Sequence, residues 1–186
     1  MSETNYIKYI IFFVFALLGG CGLLKKEDKC ESETKCKLAQ SVGVVTELTE
    51  GDSYIIEVCA CRPWNRSWLM VQERQRYFFE VTEITENWKD GRVKSSDPRL
   101  GWQGGYNLFG HFISFLKRST KANWYALVGS VGKNDENSFA PLDTNSEPIT
   151  MYHSGELYFY ANDMNGRYSN NIGVLQLKIT RVSDHE

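Results

Sequence analysis

Neither sign of charge dominates this chain: Lys and Arg total 21 and Asp and Glu total 23, for a formal net charge of -2. That balance gives no reason to expect nucleic-acid binding, which usually needs a basic face, and no long single-sign run suggests a charged tail. Histidine is just as scarce. His111, His153 and His185 have no HxxxH spacing and no Ser or Cys nearby in a recognised nucleophile context. Gly101-Trp-Gln-Gly-Gly105 is rich in glycine but lacks the Lys-Ser/Thr ending of a phosphate loop. Acidic residues are plentiful but scattered, and sequence alone pairs none of them across a glycosidic bond. These patterns give no reason to expect an enzyme.

Also missing is a comfortable membrane span, which takes about 20 apolar residues. After Lys8 the uncharged run Tyr9-Ile-Ile-Phe-Phe-Val-Phe-Ala-Leu-Leu18 stops short of that length. It has the size of a signal-peptide core, and small residues follow it. An uncleaved N-terminal anchor is the other reading. Leu18-Gly19-Gly20-Cys21 resembles the lipobox of bacterial lipoproteins. The resemblance implies a signal peptide over 1–20, cleavage before Cys21 and lipidation of that cysteine. The membrane would then be reached through the lipid. Gly22 stands where an Asp favours inner-membrane retention in enterobacterial lipoproteins, so the expected address is the cell envelope, at the outer membrane.

Four cysteines remain: Cys30, Cys36, Cys59 and Cys61. Export places them where disulfides persist, and an even count suits bridges. Cys59 and Cys61 fall in an expected strand, both on one face. A bond between them would sit near the upper limit of disulfide geometry, so cross-pairing with Cys30 and Cys36 is the favoured arrangement. Zinc is the rival, but the spacings do not match the usual short knuckles.

What the chain does have is texture for an all-β fold. It is 13% aromatic, and aromatics suit a pleated, half-buried surface. Residues 21–41 read as a polar tether and 42–186 as one domain. Strands are expected at Val44–Leu48, Tyr54–Ala60, Tyr77–Val81, Trp124–Val131, Leu157–Tyr160 and Val174–Val182. Between Val81 and Tyr106 lies a long polar loop carrying Trp88, Asp90 and the glycine-rich segment. Phe109–Leu116 reads as a short helix or an irregular apolar segment. Gly129 marks a bulge or a close backbone approach. Short strands without a convincing amphipathic helix define a jelly-roll-like β-sandwich.

The most informative stretch is Tyr160-Ala-Asn-Asp-Met-Asn-Gly-Arg-Tyr-Ser-Asn-Asn171. On pattern alone it is a hairpin, since Asn165-Gly166 is a strong turn pair. It is also longer than a tight turn requires. Asp163, Asn170 and Asn171 offer side-chain oxygens, the ligand type that a hard cation such as calcium takes.

Asn162-Asp163, Gly166, Tyr168, Asn170-Asn171 and Gly173 resemble the C-terminal signature of the PA-I-type (LecA-like) galactophilic lectins. Ala126-Leu-Val-Gly-Ser-Val-Gly132 is similar to a strand of the same family. The looser start of such domains is matched by Val58-Cys-Ala60, Trp64-Asn65, Tyr77-x-Phe-x-Val81 and Trp88-Lys-Asp90. The likeness spans about residues 53 to 183, with specific motifs only in the last thirty or so.

The family consists of small β-sandwiches that bind a sugar through calcium. The resemblance therefore implies side-chain ligands from Asp163, Asn170 and Asn171 and a backbone carbonyl from Arg167. A further carbonyl is implied near Asp90 or Gly91. For the sugar, Asp90, Gln103 and His111 are the candidates, in a region longer than the family's own sugar-selecting loop. Trp88 or Trp102 would stack on a sugar face if exposed, and would belong to the core if not. The expected function is non-catalytic, calcium-dependent binding of a galactose-like or other glycan by a surface lipoprotein. A structural or protein-interaction lipoprotein of the same fold is the first alternative, and an accessory glycan-active enzyme the second.

Overall fold

Strict alternation over Leu175, Leu177 and Ile179, with Gln176, Lys178 and Thr180 between them, makes one strand the natural spine of a half-buried sheet. The computed structural model describes residues 43–90, 97–102, 114–142 and 147–184. Among these, nine strands run in chain order: β1 (Thr46–Glu47), β2 (Ser53–Cys59), β3 (Asn65–Val71), β4 (Arg76–Asp90), β5 (Leu127–Val131), β6 (Ser138–Phe139), β7 (Ile149–Thr150), β8 (Gly155–Ala161) and β9 (Asn171–Val182). They form two facing sheets, a five-stranded one ordered β1-β3-β8-β5-β6 and a four-stranded one ordered β2-β9-β4-β7. The molecule is the β-sandwich its alternating runs predict.

Its core lies between the sheets. Leu69, Leu157, Phe159 and Leu127 point in from the five-stranded sheet, and Tyr77, Phe79, Leu175, Leu177 and Ile179 from the other. Phe79 meets Phe159 at 6.1 Å and Phe139 at 5.6 Å between ring centroids, joining the two layers. Gly129 is a close approach without a bulge. A methyl group there would sit 2.5 Å from the Phe139 ring, while β5 keeps an unbroken register with β8.

Two strands depart from the sequence expectation. β3 was not foreseen, because its inward positions include Asn65 and Ser67. Both are buried and repair a sheet that is irregular there, since the β3–β8 register shifts between Arg66 and Met70 and Trp68 takes φ 62°. Asn65 Oδ1 accepts from the Cys59 amide at 2.9 Å, and its Nδ2 donates to the carbonyls of Cys59 (3.0 Å) and Phe159 (3.1 Å). Ser67 Oγ donates to the Leu157 carbonyl at 2.7 Å and accepts from the Leu69 amide at 3.0 Å.

The second departure is β4, which runs on through the expected loop as far as Asp90. Its register against β9 shifts between Val81 and Glu83, Ile84 and Glu86, and Glu86 and Lys89. Those shifts erase the alternation by which a strand is read. Trp88, considered as an exposed sugar platform, is a core residue with 1% of its surface exposed, and its indole donates to the Tyr125 carbonyl at 2.7 Å.

Smaller corrections follow. The first expected strand shrinks to Thr46–Glu47. Cys59 ends β2 while Cys61 lies in the turn beyond it, so they do not share a strand face; both pack on Val174. Their expected partners Cys30 and Cys36 lie outside the described residues, as do Cys21, Gly91, Gln103, His111 and His185. No helix among the described residues is long and apolar enough to cross a membrane.

Candidate cation and ligand site

The chain between β8 and β9 folds as its residue types dictate. β8 stops at Ala161, and Asn162 turns the backbone by bonding to a loop in front of it. Asn162 is fully buried, with Oδ1 accepting from the Ser119 amide at 2.9 Å. Its Nδ2 donates to the carbonyls of Ser119, Ala122 and Asn123 at 2.9 to 3.1 Å. Sequence reasoning placed Asn162 in a motif without giving it this task of holding residues 119–123. A turn then closes from the Arg167 amide to the Met164 carbonyl at 3.1 Å, with Gly166 at φ 79°, a conformation that glycine adopts freely. A single 3-10 turn, Tyr168–Asn170, leads into β9 at Asn171.

This path brings three distant pieces together at one end of the sandwich. Asn171 pairs across the sheet with Asp90, the last residue of β4, and its Nδ2 donates to the Ala60 carbonyl at 3.3 Å. Asn170 Nδ2 donates to Asp90 Oδ1. Asp163 is 5% exposed; its Oδ1 accepts from the Met164 amide at 2.7 Å, while Oδ2 is sealed from solvent and meets no hydrogen-bond donor of normal geometry among the described residues. Arg167, whose carbonyl was the expected backbone ligand, lies on the exposed outer part of the turn. Asp90, Asp163, Asn170 and Asn171 are thus one acid–amide cup. Among the described residues no three or more His, Cys, Asp or Glu gather as a metal cluster.

Electrostatics mark the same place. Burial is the main cause that lifts the Asp163 carboxyl from 3.8 to about 6; the Met164 amide and Asn171 side chain pull it down, and the Asp90 charge pushes it up. Nearby Tyr125 is 4% exposed, holds a strained φ of 66° and has a buried hydroxyl without a hydrogen-bond partner among the described residues. Its ionisation is driven far up, by burial first and then by the charges of Asp163 and Asp90.

A buried carboxylate oxygen without a donor among the described residues is expensive, and either protonation or a bound cation relieves it. Two carboxylates and two amide side chains suit a hard, oxygen-seeking ion. The residues present therefore fit calcium.

The raised pKa also sets a pH dependence. Because the folded pKa lies above the unfolded one, the native state holds the proton between about 4 and about 6. Stability of the cation-free domain from this group therefore falls as pH rises through that window, by on the order of 2 kcal/mol. Urea titrations at the two ends of the window should show it in the wild type and much less in Asp163→Asn.

Another opening is unrelated to the cup. A cleft of about 280 Å³ lies between β2 and β3, lined by Tyr54, Ile55, Ile56, Glu57, Arg66, Ser67 and Trp68. The Arg66 guanidinium covers the Trp68 ring at 3.5 Å and pairs with Glu156 at 2.6 Å, so both groups are already engaged. Trp102, the other aromatic considered for sugar stacking, is half-buried, its main-chain N–H donating to the Trp124 carbonyl at 2.7 Å.

The fold is a β-sandwich in which the end of β4 meets the turn between β8 and β9. No family model and no curated protein matches the chain. Among solved structures it is similar to the EclA N-terminal domain, described as a PllA-like lectin. The two share 10% sequence identity over 69% of this chain and 95% of that one, with a TM-score of 0.45. A likeness at that level bears on neither ligand nor residues.

Proposed function

We propose that this chain is a non-catalytic, calcium-dependent carbohydrate-binding lipoprotein. The observation that carries the reading is the sealed Asp163 Oδ2, without a hydrogen-bond donor among the described residues, in a cup completed by Asp90, Asn170 and Asn171. Calcium held there would take carboxylate oxygen from Asp163 and side-chain oxygens from Asn170 and Asn171, with the Arg167 carbonyl as a backbone ligand. When bound, the ion supplies open coordination positions that vicinal sugar hydroxyls fill. The chain's own part is to keep those oxygens converged and to strip water from one side of them. The sequence likeness of Asn162–Gly173 to the PA-I-type lectins supports the sugar half of the reading. Gln103 and His111 remain the proposed selectors of the sugar, with Gly91 as a further carbonyl ligand.

The lipobox-like Leu18–Cys21 supports anchoring at the bacterial outer membrane through a lipid on Cys21. Bridges from Cys59 and Cys61 to Cys30 and Cys36 would staple the tether to the domain.

The test is a calorimetric calcium titration of the lipid-free domain, followed by a glycan array with and without chelator. Calcium binding and a glycan signal lost in chelator are expected. Tight glycan binding in chelator would overturn the reading.

A further inference from the structure

We propose that Arg118 is a positioning residue for the cup, setting from behind the distance between Asp163 and the Asn170–Asn171 pair. This rests on the calcium reading of those residues. The Arg118 side chain is only 2% exposed, an unusual place for a guanidinium unless its donors are used. Its guanidinium lies in the corner of two near-perpendicular rings, 3.7 Å from the Trp64 centroid and 3.8 Å from Tyr160. Nε donates to Asp135 Oδ1 at 2.7 Å, and Nη1 to the Pro63 carbonyl at 2.5 Å and the Tyr168 hydroxyl at 3.2 Å. Its backbone amide donates to the Asp163 carbonyl at 3.0 Å.

These contacts have a common consequence. The turn that carries the proposed ligands is gripped on both sides by one residue: at Asp163 through the main chain, and at Tyr168, just ahead of Asn170, through the guanidinium. Pro63 belongs to the connection after β2 whose Ala60 carbonyl receives the Asn171 amide. Arg118 therefore ties the turn to the same connection that meets Asn171. A planar fork fixes several donors in one geometry, which a lysine ammonium does not reproduce. Satisfying the charge alone would need only Asp135 and the rings. The bonds to Pro63 and Tyr168 are the ones that reach the cup.

Calorimetric calcium titrations of wild type, Tyr168→Phe, Arg118→Lys and the double variant test this, with the calcium-free melting temperature measured for each. Groups that orient metal ligands from behind typically change affinity by about 10–100-fold. Tyr168→Phe, which removes only the hydroxyl that Arg118 grips, should weaken calcium about tenfold while the calcium-free melting temperature moves by a few degrees at most. Arg118→Lys should weaken it further, and the double variant should bind no more weakly than Arg118→Lys, because the two changes break the same link. If Arg118→Lys fails to fold, Tyr168→Phe decides alone. Wild-type calcium affinity in Tyr168→Phe, or effects that add fully in the double variant, would overturn the assignment while leaving the calcium reading standing. A wild type that binds no calcium overturns both.

Discussion

Asp163→Asn should abolish calcium binding, weakening it by more than about 100-fold, beyond the range typical of groups that only orient ligands. The same variant should be at least as resistant to unfolding as the wild type in the absence of calcium at neutral pH. The reason is the burial that lifts the Asp163 carboxyl to about 6: its charge is a liability to the empty fold. Loss of function joined to a gain in cation-free stability is what a metal ligand produces, and a merely structural carboxylate does not. Calcium calorimetry and thermal melts in chelator measure the two halves. Calcium affinity unchanged by Asp163→Asn would remove the carboxylate from the site.

The second large effect belongs to the fold. Asn65→Leu keeps the branched outline of the side chain but is bulkier, and it strands the Cys59 amide and the Phe159 carbonyl in the interior, while the Cys59 carbonyl keeps the Arg62 amide at 3.1 Å. Each buried polar group left without a partner costs about 1–3 kcal/mol, so the domain should lose about 3 kcal/mol or more. That corresponds to a melting temperature lower by roughly 10 °C for a domain of this size. Urea midpoints and melts would measure it, and a loss under about 1 kcal/mol would mean that β3 relaxes to find other partners.

Asn65 also shows why part of the fold was hidden in the sequence. β2, β5, β8 and β9 declare themselves through apolar alternation or buried runs, because ordinary sheet pairing leaves the side chains to sort by polarity. In β3 the inward side chains at Asn65 and Ser67 act as substitute backbone, so polarity there marks burial, not exposure. In β4 the shifts in register scramble inside and outside, and a strand reads as a loop. The clustering of the proposed ligands was legible for a different reason. Asp163, Asn170 and Asn171 lie within one short stretch, and carboxylate and amide oxygens around a Gly-bearing turn state their chemistry locally. Asp90 was legible only as a member of a poorly placed loop, because its approach depends on the path of β4. Arg118 gave no signal at all: its partners Pro63, Asp135, Asp163 and Tyr168 are scattered along the chain, and only folding assembles them.

The irregular course of β4 carries a consequence for how this domain tolerates change in length. Successive residues of a strand face opposite ways, so the count between Val81 and Asp90 fixes which way the Asp90 carboxylate faces. Each shift in register places an extra residue on β4 relative to β9. Removing one residue would either cancel a bulge, and with it the local twist, or turn Asp90 away from Asn170. β4 thus acts as a ruler graduated in parity: polar substitutions along its outer edge should be absorbed, whereas a single deletion should disarm the far end without touching any residue of the cup.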